Sequence, residues 1–399
     1  MASKTKLLII PCSGKETSKL AKDIFDILKS DYGLEDQVEL LDSSRRSQIP
    51  PGTLKDNRHP LVTDFFPDME VQVDIGRNDL KDVIRGKHIA LVEHLLTPNS
   101  KASANDHIMN VRGMLDIVSK TETLKRTLVA PYLSYIRSHS IEKYEARGFY
   151  QFDSLRKTLQ DYQKDGLNAI LTIDPHSDKA EQIAKQLGID YHWINPFQSA
   201  RAINPAKLGL SGEKAELITK RLRPFQEKVL ELKKQYPLLY FVSLDNGTEK
   251  RVENFVERAY PDLSIAEVYA RIAYFDKDRV AYENSTAAFK NFSIINENNF
   301  DPNGVYIQID DMLASGGTSN KVAKVLKESK AKRVELWASH AVTTSEQIKN
   351  ANDRSYIDHI VSLDTIPQHP DLNLEYISAS AHLLSGELYK AHQRLTASR

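Results

Sequence analysis

The sequence predicts an α/β protein of two domains with mainly parallel sheets flanked by helices, and three observations lead there. Short apolar runs recur, as at Leu7–Ile10, Ile89–Val92, Ala169–Ile173 and Val334–Ala338. Between them lie stretches with helical spacing, such as Leu20, Ile24, Ile27 and Leu28 on one face. Strand and helix alternate in both halves, as in parallel sheets whose crossovers are helices. A chain of 399 residues at 41% apolar content also has enough material for two separate cores.

Composition excludes several functions. Lysine plus arginine number 54, as do aspartate plus glutamate, so no net field favours nucleic acid or an anionic membrane. No apolar run approaches membrane length, and Leu7–Ile10 is too short and wrongly flanked for a signal peptide. The single cysteine, Cys12, leaves no intrachain disulfide and no thiol zinc site. The expectation is a soluble, cytoplasmic protein.

Taken in order, Leu7–Ile10 reads as a buried strand that turns at Pro11-Cys12-Ser13-Gly14 into the first helix. Ser13-Gly14-Lys15 lacks the leading glycine and the spacing of a P-loop, so it reads as a turn capping that helix. The segment from Asp42 to His59, with paired arginines and adjacent prolines, reads as a surface loop. After Glu70 the chain alternates apolar and polar residues, the pattern of a half-buried strand. The strand starting at Thr127 leads to Arg137, and the one at Ala169 ends in Asp174 and His176. The leucine-, lysine- and glutamate-rich run from Gly212 to Lys234 reads as one or two amphipathic helices. Leu238–Arg251 is a strand and a turn containing Asp245 and Gly247. A short strand from Ala273 precedes Lys277 and Arg279, which project the same way if the chain stays extended. By themselves those two cations read as a solvated basic loop. Tyr376–Gln393 reads as a strand end and a terminal helix.

The richest stretch is Val305–Ser319, VYIQIDDMLASGGTS. Five β-prone residues lead into Asp310 and Asp311, then a run of small residues, then an amphipathic stretch with Val322, Val325 and Leu326. Glycines let several N–H groups approach one ligand, and the following helix adds the positive end of its dipole, which suits a phosphate. Asp310 and Asp311 are placed either to accept hydrogen bonds from ribose hydroxyls or to hold a hydrated Mg²⁺.

These residues resemble the phosphoribosyl-binding loop of the type I phosphoribosyltransferase fold. Six further segments, in order, resemble the ribose-phosphate diphosphokinase family. Phe66, Asp68 and Glu70 match its adenine-contacting segment, and Arg137 ends a run like its ATP-phosphate arginine. Asp174-Pro175-His176 resembles its Asp-Leu-His, and Asp245 with Gly247 resembles its second-domain turn. Lys277 and Arg279 fall on its Lys-x-Arg, and Ile360–Pro367 matches its closing run.

The resemblance implies two phosphoribosyltransferase-type domains, residues 1–196 on the ATP side and 197–380 with the ribose 5-phosphate loop. A helical insertion occupies about 198–237, and a terminal helix, 381–399, packs on the first domain. The implied site lies at strand carboxyl ends between the halves. Its reaction is diphosphate transfer from Mg-ATP to the anomeric hydroxyl of ribose 5-phosphate, in a homo-oligomer, dimer or hexamer. Ser315, Gly316, Gly317 and Thr318 would hold the 5-phosphate, and Asp310 and Asp311 the ribose hydroxyls. Phe66, Asp68, Glu70 and Arg137 would position ATP. His176 and Asp245 would serve the Mg²⁺ sites, and Lys277 and Arg279 the transition state. Ala314 stands where the family's loop carries aspartate, which leaves open a larger acceptor esterified on that phosphate, such as ADP-ribose. A non-catalytic regulatory subunit is a further alternative.

Overall fold

The computed structural model describes residues 5–41, 61–65, 68, 70–75, 79–98, 100–138, 141, 145–198, 211–244, 247–279, 289–294, 300–343, 352 and 355–397. It divides into two compact units. The first comprises Met1–Ile194, Thr365–Pro367 and Ser380–Arg399, and the second Asn195–Asp364 and Gln368–Ala379.

In the first unit the chain order is β1 (Leu7–Pro11), α1 (Lys15–Ser30), β2 (Val38–Leu40), β3 (Leu61–Phe65), β4 (Val71–Ile75), α2 (Leu80–Ile84), β5 (His88–Val92) and α3 (Ala104–Ser119). Then come β6 (Lys125–Val129), α4 (Ser154–Lys164), β7 (Ala169–Ile173), α5 (Lys179–Gln186) and β8 (Asp190–Ile194). Six strands form one sheet in the order β2-β1-β5-β6-β7-β8, every neighbouring pair parallel. Helices on a parallel sheet bury both faces, which is why β1, β5 and β7 are buried at every residue and read as unbroken apolar runs. Strands β3 and β4 form a separate antiparallel hairpin, closed by the pair Phe65↔Val71. The hairpin packs on α3, where a Cβ added at Gly113 would sit 2.8 Å from the Val73 side chain, so only glycine admits that approach.

The second unit runs α6 (Gly212–Arg221), α7 (Pro224–Lys233), β9 (Leu239–Ser243), α8 (Glu249–Ala259), α9 (Ile265–Ala270), β10 (Ile272–Arg279) and β11 (Phe289–Ile294). It continues with β12 (Val305–Leu313), α10 (Gly317–Glu328), β13 (Arg333–Ala341), β14 (His359–Leu363) and β15 (Glu375–Ile377). Its seven strands follow the order β11-β10-β9-β12-β13-β14-β15, parallel throughout except for the antiparallel edge pair β10–β11. On one face Val322, Ala323 and Leu326 of α10 pack with Tyr306 and Val242; on the other, Phe225, Phe255 and Trp337 meet ring to ring. Among the described residues no helix is long and apolar enough to cross a membrane.

The terminal helix α11 (Ser380–Ala397) belongs to the first unit, packed on α1, β7 and β8. It brings His392 against His88, Nδ1 to Nδ1 at 3.3 Å with the rings stacked, while His88 Nε2 meets Thr127 Oγ1 at 2.8 Å. Burial pushes His88 down from 6.5 to about 3, with His392 and Lys125 adding to it, and burial also lowers His392. The unfolded chain therefore binds protons below about pH 6.5 that the folded one refuses, and stability is lost as pH falls from there toward about 3. Urea midpoints are expected to drop between pH 7 and pH 5, at up to ~1.4 kcal/mol per unit for each such histidine. An unchanged midpoint would contradict a buried neutral pair.

Candidate active site

Strand β12 lies between two parallel partners, β9 and β13, at the centre of the second unit's sheet. Its apolar run is buried because both faces are covered, and its polar residues gather at the carboxyl end, where such sheets bind ligands. The strand runs beyond the five residues that propensity marks. Pairing of Met312 with His340 and Leu313 with Ala341 carries the ladder through both acids. Asp310 and Asp311 stand side by side at the strand's carboxyl end, close enough for their carboxyls to interact directly.

Asp310 is half-buried and Asp311 buried, and the Asp311 N–H donates to Asp310 Oδ1 at 2.9 Å. Burial, then the neighbouring Asp311 carboxylate, pushes Asp310 well above the usual carboxylate range, against a weaker pull from Arg251. A cation or the hydroxyls of a polyol placed beside Asp310 would favour its charged form.

The loop after β12 is tied at its root. Thr343 Oγ1 donates to the Leu313 and Ala314 carbonyls at 3.3 and 3.1 Å, and the Val342 N–H donates to Leu313 at 2.8 Å. Gly316 then takes φ 67°, ψ 16°, the left-handed region, as the residue before α10. Its carbonyl accepts the first helical bond from Asn320, and no side chain caps the helix. The opening N–H groups of α10 are thus left to a ligand or water. Ser315 and Gly317 are exposed, Thr318 is half-buried, and a Cβ at Gly317 would meet only Ser315 Oγ, at 4.0 Å.

Asp245 lies outside the described residues; of its neighbours, Thr248 accepts the Leu244 N–H on its hydroxyl at 3.0 Å, and that hydroxyl sits 3.0 Å from Ser243 Oγ. Lys277 and Arg279 lie on β10, which runs on through both cations instead of ending before them. Its register against β11 shifts between the two positions.

In the first unit, Asp68 and Glu70 are exposed in the β3–β4 connection, with the Glu70 N–H donating to Asp68 Oδ1 at 3.2 Å; Phe66 lies outside the described residues. Arg137 is exposed on a turn after β6, and His176 is exposed just after β7. Four described non-glycine residues have positive φ, and three of them, Tyr135, Asp174 and His176, stand in these two segments. Such conformations persist where the surroundings over-determine them, and they concentrate at functional sites.

Reading the sequence misses a buried polar cluster at the carboxyl ends of β1 and β5. Glu93, fully buried, accepts from Ser13 Oγ at 2.6 Å and from Asn110 Nδ2 at 3.2 Å, and lies 2.7 Å from His107 Nδ1. Burial raises its carboxyl, and these partners pull it back. An acid directly after an unbroken apolar strand was the available signal.

Among the described residues no three metal-ligating side chains gather. Mg²⁺ does not require that, because it keeps several waters and is held by one or two carboxylates with substrate phosphates. His176, exposed just after β7, can contribute one donor to such an ion beside substrate phosphates.

A family model described as the N-terminal domain of ribose phosphate pyrophosphokinase matches residues 9–148. The ribose-phosphate pyrophosphokinase of Buchnera aphidicola subsp. Acyrthosiphon pisum is 27% identical over 332 residues, 83% of this chain and 86% of that protein. The protein of the same name from Ralstonia nicotianae is 26% identical over 306 residues, 77% of this chain and 78% of its own. The crystal structure of phosphoribosylpyrophosphate synthetase from Mycobacterium smegmatis shares the fold, with a TM-score of 0.62 at 17% identity, covering 98% of this chain and all of that one.

Gly316 gives this site its test. An alanine there must take a left-handed conformation, so Gly316→Ala is expected to lower unfolding free energy by about 1 kcal/mol. Ribose 5-phosphate is expected to raise the melting temperature of the variant less than that of the wild type.

Proposed function

We propose that the chain is a divergent member of the ribose-phosphate pyrophosphokinase family and that it transfers diphosphate from Mg-ATP to the anomeric hydroxyl of ribose 5-phosphate, giving phosphoribosyl diphosphate and AMP. The observation that carries this reading is the adjacent acid pair Asp310 and Asp311 at the end of β12, leading into a helix start at Gly316 that no side chain caps. One structural piece offers hydroxyl acceptors and the other phosphate donors, the two needs of a sugar phosphate.

The roles follow from that. The backbone of Gly316, Gly317 and Thr318, with Ser315, holds the 5-phosphate, while Asp310 and Asp311 fix the ribose hydroxyls. Phe66, Asp68 and Glu70 hold the adenine end of ATP, and Arg137 its phosphates. The anomeric oxygen attacks the β-phosphorus, the bond to the α-phosphate oxygen breaks, and AMP leaves, with no covalent enzyme intermediate. Charge spreads over the oxygens of the group in flight, and Lys277 and Arg279 meet it. His176 and Asp245 would hold Mg²⁺ together with the substrate phosphates, where it would supply further neutralisation of that charge. The same proposal includes a cytoplasmic homo-oligomer, dimer or hexamer, which light scattering would measure.

A second reading has its own support. Ala314 carries no carboxylate beside the loop, and a side chain at Gly317 would meet almost nothing. The outer side of the phosphate site thus has room for an ester on the 5-phosphate, as in ADP-ribose.

AMP release from Mg-ATP, with ribose 5-phosphate and ADP-ribose offered separately, decides between them. Release with ribose 5-phosphate supports the first reading, and release only with ADP-ribose the second; none with either acceptor points to a non-catalytic subunit. Lys277→Ala is expected to lower kcat at least about a hundredfold, as loss of a transition-state donor does. A smaller loss would remove Lys277 from that role.

A further inference from the structure

The turn that carries Arg137 is held by a side chain with no role in the scheme above. Tyr135 stands at φ 66°, where a side chain costs roughly 1–2 kcal/mol. Its carbonyl accepts the Ser138 N–H at 2.8 Å, so its backbone sets the turn on which Arg137 sits. Its phenol donates to Asn105 Oδ1.

Asn105 is itself fixed. It lies in the first turn of α3, whose start is locked by a reciprocal pair: Asp106 N–H to Ser103 Oγ, and Ser103 N–H to Asp106 Oδ2. Lower in the same helix, Asn110 Nδ2 donates to the Cys12 carbonyl at 2.8 Å and to Glu93. The phenol thus ties the turn to a helix start anchored in the core.

Around it, Leu133 and Ile136 are buried, and Ser134 Oγ donates to the Leu95 carbonyl at 2.8 Å. Those contacts set the depth of the segment. The long arm from Tyr135 to Asn105 sets its rotation, and with it the direction in which the exposed Arg137 leaves the surface. Nothing in a tight turn by itself requires tyrosine at a left-handed position, where glycine or asparagine is cheaper.

We propose that Tyr135 and Asn105 form a positioning pair that aims Arg137 at the phosphates of ATP. The inference rests on the reading of Arg137 as an ATP contact, and the experiment separates the two. Binding of Mg-ATP is measured by calorimetry for the wild type, Tyr135→Phe, Asn105→Ala, the double variant and Arg137→Ala, alongside KM for ATP and for the acceptor. Tyr135→Phe keeps the ring and removes only the donor. It is expected to weaken Mg-ATP binding about fivefold, the size of one neutral hydrogen bond, and to raise KM for ATP but not for the acceptor. The double variant is expected to be no worse than the poorer single one.

Full affinity in Tyr135→Phe with Arg137→Ala impaired would overturn the pair and leave the reading of Arg137 standing. Full affinity in both would remove Arg137 from the ATP site, and the pair with it. Losses that add in the double variant, or a fall in kcat and melting temperature with KM for ATP unchanged, would reduce Tyr135 to a structural role.

Discussion

Parallel pairing of β12 on both of its edges is the constraint from which most of the second unit follows. With β9 on one side and β13 on the other, every backbone group of the apolar stretch has a strand partner, so the strand can be buried on both faces. Charge is then tolerated only where the covering layers end. Asp310 and Asp311 stand there, and the ladder to β13 holds them in an extended backbone whose direction is set by registers far from the acids themselves. The cost is visible in Asp310, whose carboxyl is held protonated more readily than a free one. A sugar or a cation that relieves that cost contributes to binding what the fold lost in building the site.

The first unit stores its strain differently. Its sheet has a strand-order switch beside β1, with β2 on one side and β5 on the other, and a satisfied carboxylate, Glu93, closes that crevice from within. The unusual backbone lies further along, after β6 and β7, at Tyr135, Asp174 and His176. Asp174 is buried, and its N–H donates to the Ile194 carbonyl at 2.8 Å, so the turn after β7 is fixed by β8 rather than by its own sequence. Both turns present an exposed side chain, Arg137 and His176, from a backbone held elsewhere. A side chain carried on a fixed backbone loses less entropy on binding a ligand than one carried on a mobile loop.

What the sequence made legible is what depends on neighbours along the chain. The buried strands show as apolar runs, the covering helices as spaced ones, and the loop after β12 shows in its glycines. The two helices between Gly212 and Lys233 follow from the same spacing. What stayed hidden depends on partners distant in sequence. β12 extends through Leu313 because Ala341 pairs with it. β3 has no strong pattern of its own and exists as the partner of β4. The Glu93 cluster joins residues 80 positions apart, and the positive φ of Tyr135 belongs to a turn whose anchor, Asn105, lies 30 residues earlier. In each case the deciding interaction is a contact made by the fold, and periodicity carries no information about it.

The helical segment ahead of β9 shows how far such contacts reach. Read from its composition it is a packed surface element, and α6 fits that description, with Ile218 as its buried residue. α7 does not. Phe225 is fully buried, stacked on Phe197 at 4.1 Å and on Trp337 of β13 at 5.8 Å, while Phe255 of α8 meets Phe197 edge-on. Lys228 of the same helix bonds Glu375 on the edge strand β15 at 2.8 Å, and Glu375 lies 2.9 Å from His359 on β14. The helix therefore covers the face of the sheet opposite α10 and grips its far edge. Take it away, and Trp337, one strand from the acid pair and paired in register with Ile309, loses the ring stacked on it. The segment is part of the core that holds β12 and β13 in register, which places it in the physical chain that ends at Asp310.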